Sequence, residues 1–176
     1  MPQRHDHGLL IVYTGDGKGK TTAAIGLAIR AAGAGLSVLF AQFVKGQQYS
    51  EIAALERFSD RITVRQYGRG CFIVQEPTEE DIEEAAKGLA AVRKSLRSGA
   101  YQLVILDEAS IALHYKLFTV DELLSAIRER SPDCEVVVTG RRAPQELIDA
   151  ADLVTEMKEV KHYYAKGVQA RTGIEV

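Results

Sequence analysis

The residues with the clearest chemical potential lie in a glycine-rich loop, Tyr-Thr-Gly-Asp-Gly-Lys-Gly-Lys-Thr-Thr at positions 13–22. Glycines allow successive backbone N–H groups to turn toward an anion, and the N-terminus of a following helix adds its dipole. Lys20 can place a positive charge on phosphates, and the Thr21 hydroxyl can occupy one position on Mg²⁺. The loop therefore predicts a nucleotide site. We expect these residues to contact the nucleotide: Thr14, Gly15, Asp16, Gly17, Lys18, Gly19, Lys20, Thr21 and Thr22.

The spacing of this loop departs from the general phosphate-binding motif. Thr14 occupies the place of the first glycine, Gly15 comes one position late, and Lys18 is an additional lysine. A glycine-rich hairpin without a ligand is the alternative. An apolar run at 9–12 precedes the loop and a helical pattern follows it, which favours the phosphate-binding interpretation.

A second group of chemically active residues is the acidic pair Asp107 and Glu108, which follows four apolar residues at 103–106. Mg²⁺ bound to a nucleotide prefers hard oxygen ligands, which a carboxylate and Thr21 supply directly or through water. We favour Glu108 as the partner of the ion, although solvation of a loop would also explain the two acids. Mn²⁺ is an alternative ion for such ligands.

Three basic residues are further candidates. Arg141 follows another apolar strand pattern, where its guanidinium could reach a phosphate or a ribose. Arg30 ends the first helical pattern, and from the pattern alone we interpret it as compensation of the helix dipole. Lys45 fits a phosphate contact and a solvated loop lysine equally well.

The elements that would position these residues alternate between strands and helices. Apolar strand patterns occur at 9–14, 37–41, 61–67, 103–106, 135–138 and 152–157. This alternation predicts an α/β domain with a mostly parallel central sheet and helices on both faces. Because ligands lie beyond the carboxyl ends of such strands, residues 14–22, 42–46, 68–72, 107–108 and 139–142 should meet at one edge.

The helical segments have recognisable starts and apolar faces. Thr78 with Asp81, and Thr119 with Glu122, are predicted capping boxes. We expect one face of the first helix to pack inward through Ile25, Ala28, Ile29 and Ala32. In the helix after Thr78, the inward set should be Ile82, Ala85, Ala86, Leu89, Val92 and Leu96.

Bulk properties limit the classes of function. The 176 residues suit one domain, with residues 1–7 disordered and 158–176 forming a polar, aromatic tail near the active site. The net charge of -2 gives no basic field for nucleic acid. We expect no signal peptide and no membrane span, and the two cysteines, without metal-ligand spacing, suit a reducing cytoplasm.

Patterns alone leave three classes of Mg–nucleotide protein open. One is an ATPase in which Glu108 orients the attacking water, and another is a kinase that moves the terminal phosphoryl group. The third is a nucleotide-gated binding module with little or no turnover.

More specific residue patterns extend beyond the loop. They lie at 14–24, with the compressed glycine spacing, and at 42–46, 106–108, 139–141, 152–157, 160–162 and 167–175. With these motifs the chain resembles the P-loop ATP:corrinoid adenosyltransferases of the CobA/CobO/BtuR type (cob(I)yrinic acid a,c-diamide adenosyltransferase), from about Leu9 to the C-terminus. The resemblance implies a three-layer P-loop NTPase fold of the RecA-like kind.

The same resemblance implies a reaction and a set of site residues. Such enzymes transfer the 5′-deoxyadenosyl group of ATP to Co(I) of a reduced corrinoid (cobalamin, cobinamide or cobyrinic acid a,c-diamide) and release triphosphate, with the nucleotide reversed so that C5′ faces the corrinoid. Lys20, Thr21 and Thr22 would hold the triphosphate, Thr21 and Glu108 the Mg²⁺. Arg30 and Arg141 match positions near the nucleotide.

For the corrinoid, the resemblance implies contacts by Gln42, Lys45 and Phe72, with Phe72 displacing the lower axial ligand. The Cys-Phe-Ile sequence at 71–73 differs from relatives that have a phenylalanine and a tryptophan in this loop. A flavodoxin-like or flavin-dependent reductant and a homodimer are further implications. We also expect His162, Tyr163 and Tyr164 in the tail to help close the site.

Overall fold

The architecture is seen in a computed structural model that describes residues 7–44, 49–68 and 76–175. Its strands are β1 (Leu10–Thr14), β2 (Val38–Phe43), β3 (Ile62–Tyr67), β4 (Leu103–Asp107), β5 (Glu135–Thr139) and β6 (Leu153–Glu156). Its α-helices are α1 (Lys20–Gly33), α2 (Ser50–Leu55), α3 (Glu79–Arg97), α4 (Ala109–His114), α5 (Val120–Arg128) and α6 (Gln145–Ala150). Short 3₁₀ helices occupy Glu56–Phe58 and Tyr163–Lys166.

The six strands form one sheet in the order β3-β2-β4-β5-β1-β6, and every pairing is parallel. The central strands β2 and β4 are buried along their whole length, which explains the continuous apolar runs that precede Gln42 in β2 and Asp107 in β4. Parallel pairing brings all carboxyl ends to one edge of the sheet. The predicted α/β class with a parallel sheet is confirmed.

Alternate strand residues feed two apolar cores, one on each face of the sheet. Phe40 and Ile105 pack with Ala24, Ala28 and other residues of α1 and α2. On the other face, strand residues that include Leu39 pack with apolar residues of α3, α4, α5 and α6. Helices therefore cover both faces, which gives the three-layer arrangement expected from the sequence.

Local signals set the helix boundaries well. Thr78 and Thr119 both form complete capping boxes, so α3 and α5 begin where the sequence predicts. The predicted sixth strand is an edge strand, paired on one side with β1. Among the described residues, no helix combines the length and the apolar character needed to cross a bilayer.

Three predicted inward residues were wrong. Ile29 in α1 is 43% exposed, and in α3 Ile82 is 41% exposed and Ala86 is exposed as well. The face of α1 that packs on the sheet is narrower than the predicted apolar face, and its buried apolar residues are Ala24, Ala28 and Ala31. Helix α4, a single short helix directly after the acidic pair, was not predicted. The predicted disorder of residues 1–7 falls almost wholly outside the described residues and stays a prediction.

Candidate functional site

The glycine-rich loop connects the end of β1 to the start of α1. Gly19 is the N-cap of α1 and has φ of 111°, a conformation that favours glycine. Lys20 is therefore the first residue of the helix, and Thr21 follows it within the first turn. The free N–H groups and the dipole of this helix end favour an anion at the loop.

The segment after β6 supports this loop from behind. The Gly17 N–H donates to the Met157 carbonyl oxygen at 2.7 Å, so this amide is already used within the protein. A Cβ atom built on Gly15 would come within 2.4 Å of the same oxygen, and one on Gly17 within 2.7 Å. These two glycines thus permit close contact between the loop and Met157, in addition to any role toward an anion.

Lys20 folds back over the loop and is nearly buried. Its Nζ donates to the Gly17 carbonyl oxygen at 2.6 Å, and the residue is 8% exposed. Burial lowers the pKa of Lys20 below its ordinary value, and the Arg141 guanidinium lowers it further, whereas nearby carboxylates, that of Glu108 first, act in the opposite direction. Burial and Arg141 outweigh these carboxylates, and an anion in the loop would favour the charged form of Lys20.

Asp107 is the centre of a buried hydrogen-bond network at the end of β4. The Thr21 hydroxyl donates to Asp107 Oδ1 at 2.9 Å, and the Thr139 hydroxyl donates to the same oxygen at 2.7 Å. The Gln42 amide donates to Oδ2 at 2.9 Å. Because all three groups donate, they fit an ionised carboxylate, and they link β2, β4, β5 and α1 at one point.

Glu108 follows Asp107 in a left-handed backbone conformation, with φ of 58°. Its N–H donates to the Thr139 hydroxyl oxygen at 3.0 Å. Val44 after β2 and Arg142 after β5 also have positive φ, at 65° and 57°. Such conformations are unfavourable for residues other than glycine and concentrate at functional sites. Here they lie beyond the carboxyl ends of three neighbouring strands.

These elements enclose a cavity of about 460 Å³. The cavity is lined by Gly17, Lys18, Gly19, Lys20, Thr21, Thr22, Val44, Glu108, Ile111, Tyr115 and Arg141. Lysine, arginine and threonine side chains and the Glu108 carboxylate supply its polar lining. Val44, Ile111 and Tyr115 supply its apolar lining and belong to, or pack against, a single apolar cluster. The cavity can therefore accept an anionic group at one side and a flat or apolar group at the other.

The structure brings most predicted residues together, with clear exceptions. Arg30 is exposed in the last turn of α1, about 15 Å along the helix from Lys20, and does not line the cavity. Gln42 is 0% exposed, so it cannot touch a corrinoid without a rearrangement, and its amide is committed to Asp107. Lys45 and Phe72 lie outside the described residues.

The first residues of the loop are also set back from the cavity. Thr14 is buried, and its hydroxyl oxygen accepts the Ala143 N–H at 3.3 Å. Gly15 contacts the Met157 region, and Asp16 is exposed to solvent. None of these three residues lines the cavity, whereas every residue from Gly17 to Thr22 does.

The tail contacts the loop at Lys18. Lys18 Nζ lies 3.3 Å from Glu175 Oε1 and 5.9 Å from the centre of the Tyr163 ring. Glu175 also accepts hydrogen bonds from the Tyr163 hydroxyl and from Arg171. Hydrogen bonds from Arg171, and then from Tyr163, hold the pKa of Glu175 well below its usual range.

Sequence reasoning missed several of these contacts. It named neither Thr139 nor Met157 as part of the loop's support, and its preference for Glu108 over Asp107 as the partner of the metal ion stays a prediction. The sequence did contain a signal for a buried Asp107. Side chains alternate along a strand, so Asp107 lies on the face opposite to Leu106, and both faces of a central strand are covered. The contact of Met157 is made by backbone atoms and leaves no trace in side-chain type.

No group of three or more His, Cys, Asp or Glu side chains within residues 7–44, 49–68 and 76–175 has the arrangement of a metal cage. Nucleotide-bound Mg²⁺ does not need one, because it is typically held by one or two protein oxygens together with phosphates and water. Thr21, Asp107 and Glu108 supply oxygens of this kind beside the loop, so the residues present fit the ion.

Comparisons with known proteins were made for the whole chain. Residues 6–176 match the family described as "ATP:corrinoid adenosyltransferase BtuR/CobO/CobP". The chain is 37% identical over 173 residues to a corrinoid adenosyltransferase of Pseudomonas aeruginosa, covering 98% of this chain and 85% of that protein. It is 33% identical over 171 residues to one of Escherichia coli K12, covering 97% and 86%.

A solved structure supports the fold. The flagellar accessory protein FlaH of Methanocaldococcus jannaschii superposes with a TM-score of 0.58 at 15% identity, covering 86% of this chain and 71% of that chain. At this identity the likeness concerns the fold alone, and it confirms the predicted P-loop architecture of the RecA-like kind.

Proposed function

The chain belongs to the ATP:corrinoid adenosyltransferase family, and from this premise we propose how its residues carry out the transfer. It is a corrinoid adenosyltransferase of cobalamin biosynthesis or salvage. The roles of individual residues, the metal ion, the orientation of the nucleotide, the reductant and the oligomeric state are our proposals.

One observation carries these proposals: the cavity joins a phosphate-binding end to an apolar wall. Lys20, Thr21 and Arg141 lie in its polar part, and Val44, Ile111 and Tyr115 in its apolar part. The triphosphate of ATP would bind at the loop, with Lys20 leaving Gly17 to contact it. The sugar would then extend from the loop toward the apolar part, where the corrinoid enters.

We assign Mg²⁺ to the Thr21 hydroxyl and to Glu108, directly or through water. The Thr21 hydroxyl donates its hydrogen bond to Asp107, so the lone pairs of the hydroxyl oxygen remain available for a metal ion. When bound, the ion neutralises negative charge on the triphosphate. Asp107 holds Thr21 in place from behind, which is the usual role of an outer carboxylate in a metal site.

The reaction needs little chemistry from the protein. Co(I) of the reduced corrinoid attacks C5′ of ATP and supplies the electron pair of the new Co–C bond, while the C5′–O bond breaks and triphosphate leaves with its electrons. Because the substrate is itself the nucleophile, the protein acts by alignment and by stabilising the leaving charge. Lys20, Arg141 and the free N–H groups at the start of α1 are suited to that task.

Other proposals follow from the family alone. A flavodoxin-like or flavin-dependent reductant would supply Co(I), the protein would act in the cytoplasm, and it would form a homodimer. Lys45 and Phe72 stay proposed corrinoid contacts. For Arg30 and Gln42 the geometry favours other roles, since Arg30 is exposed in the last turn of α1 and Gln42 is fully buried, and neither residue lines the cavity.

A product assay tests the function. The protein is incubated with Mg-ATP, cobinamide or hydroxocobalamin and a strong reductant, and the products are separated. We expect an adenosylated corrinoid and triphosphate in equal amounts. ADP and phosphate would instead indicate an ATPase or kinase, and tight ATP binding without turnover would indicate a nucleotide-gated binding module. Either of the last two outcomes contradicts the proposal.

A further inference from the structure

We propose that Gln42 is a positioning residue whose amide fixes the Asp107 carboxylate and thereby sets the affinity of the site for the metal–nucleotide complex. The inference rests on the function proposed above, in which Thr21 carries Mg²⁺. It assigns Gln42 a role at the nucleotide end of the site, not a contact with the corrinoid.

The first support is the register of the sheet. Gln66 on β3, Gln42 on β2 and Asp107 on β4 are direct neighbours at one level of three adjacent strands. They stand at or near the carboxyl end of each strand, beside the loop. Three polar side chains at one level form a row that ends at the carboxylate contacted by Thr21.

The second support is that the hydrogen bonds of the row have a forced direction. An ionised carboxylate only accepts, so Gln42 must turn its NH₂ group to Asp107 Oδ2, at 2.9 Å. Its carbonyl oxygen then faces Gln66, whose NH₂ group donates at 2.9 Å. The amide cannot flip without placing two acceptors together. Gln42 therefore holds Oδ2, and Oδ1 stays available for the hydroxyls of Thr21 and Thr139.

The third support is burial. Gln42 and Asp107 are both 0% exposed, so water cannot replace the amide at Oδ2 at low cost. A hydrogen bond to a buried charge contributes more than one between neutral groups, and its loss leaves an unsatisfied acceptor. Without Gln42 the carboxylate would lose one of its three donors and the constraint on its rotation. Thr21 would then present its lone pairs less precisely.

The first test is Gln42→Met, which keeps the length of the side chain and removes the amide. ATP affinity is measured by calorimetry in Mg²⁺ and again in EDTA. We expect Mg-ATP affinity to fall on the order of tenfold, the loss of one hydrogen bond to a charged group, while metal-free affinity changes less than about twofold. Equal losses in both conditions, or no loss in either, would overturn the proposal.

A matched control is Gln102→Met. The Gln102 amide oxygen accepts the Ser37 N–H at 3.0 Å, at the opposite end of β2 and β4. This variant removes one hydrogen bond made by a side-chain amide next to the same two strands. It leaves the hydrogen bonds around Asp107 intact. We expect unchanged Mg-ATP affinity. A loss as large as that of Gln42→Met would show that the effect is general destabilisation of the sheet and would contradict a positioning role.

A second variant, Gln42→Glu, tests the direction of the hydrogen bond even if Gln42→Met does not fold. A protonated carboxyl group can donate to Asp107 and accept from Gln66, whereas an ionised one repels Asp107. Further charged groups in and around the loop are those of Asp16, Lys18, Lys20, Glu108 and Arg141. Burial and the neighbouring carboxylate raise the pKa of the introduced acid.

We therefore expect the deficit of Gln42→Glu in Mg-ATP affinity, relative to the unchanged protein, to shrink as pH falls. A deficit independent of pH would contradict the proposal. Thr21→Val separates this inference from the proposed function. If Thr21→Val removes the metal-dependent part of the affinity and Gln42→Met does not, the role of Gln42 is wrong and the metal site stands. If neither does, the metal site itself is wrong.

Discussion

Two of the regions that contact the phosphate-binding loop differ in almost every physical respect. On one side, Thr21 is joined to Asp107 within a buried network that spans three strands. On the other side, Lys18 meets Glu175 of the tail in an ion pair in which the Lys18 side chain is 42% exposed. The first contact is part of the sheet, and the second is made by a separate segment on the surface.

The difference in burial translates into a difference in free energy. Breaking a buried bond to a charged group costs about 1.5–3 kcal/mol or more, because no water replaces the lost partner. An exposed ion pair contributes about 0–1 kcal/mol and is weakened by salt. We infer that the Asp107 side holds the loop in one geometry permanently, whereas the Lys18 side can release when a nucleotide arrives.

The largest effect should come from Lys20, the buried cation of the loop. Lys20→Ala removes the charge that faces the triphosphate, and we expect turnover to be abolished, by roughly 10³-fold or more. Lys18→Ala removes the exposed lysine of the same loop and is the matched control, with an expected loss below about tenfold. Initial rates of adenosylcorrinoid formation measure both. Near-normal rates in Lys20→Ala would contradict the role given to the loop.

The two acids after β4 should differ next. Asp107→Asn places an N–H donor where two hydroxyls and an amide already donate, so we expect Mg-ATP affinity to fall about 10–100-fold. Glu108→Gln keeps the polar contacts of its position and removes only the charge at the cavity wall, and we expect a smaller loss. Metal titration of ATP binding compares the two variants. A larger loss in Glu108→Gln would show that the ion depends more on the Glu108 charge than on the position of Thr21, and would contradict the weight given to Asp107.

An intermediate effect should appear at alkaline pH. The pKa of Lys20 lies below its ordinary 10.5 because of burial and Arg141, and bound triphosphate favours the charged form and raises that pKa again. Between the two values, binding must take up a proton, so ATP affinity falls as pH rises through this window. Calorimetry in buffers of different ionisation enthalpy measures the uptake. Proton release in the same window would contradict the assignment.

The smallest effect should come from the tail. Glu175→Gln weakens the contacts to Lys18 and Arg171, and we expect ATP affinity to change less than about threefold, with the difference disappearing in high salt. Affinity measured at two ionic strengths tests this. A loss that matches Asp107→Asn and resists salt would mean that both sides of the loop are fixed equally.

Deleting all residues after Glu159 tests the expected closure by the tail. We expect corrinoid affinity to fall, because His162, Tyr163 and Tyr164 are removed together with the contact to Lys18. Binding is followed by the corrinoid absorbance spectrum at increasing protein concentration. Unchanged corrinoid affinity would exclude the tail from the closed site.

Much of the fold could be predicted because it depends on local patterns. Continuous apolar runs marked the buried strands, and Thr78 and Thr119 marked two helix starts. The inward faces of α1 and α3 were less predictable, because a helical period allows a wide face and only packing decides that Ile29 and Ile82 stay outside. Helix α4 escaped prediction because one turn and a half carries too little periodic signal.

The site divides in the same way. The loop and the acidic pair were evident from residue types, since phosphate and metal binding require those types at that spacing. The separate roles of Asp107 and Glu108 were not evident from the sequence. They depend on the backbone turning at Glu108, with φ of 58°, directly after the strand. The contacts of Met157 and Glu175 with the loop join distant positions, which no short pattern can show.

The most direct test of the account is a crystal structure with Mg-ATP and a reduced or cobalt(II) corrinoid bound. We predict triphosphate at Lys20 and at the start of α1, with C5′ directed away from the loop toward the side of the cavity formed by Val44, Ile111 and Tyr115. A nucleotide whose sugar points away from that side, or an empty loop at saturating ATP, would contradict the account.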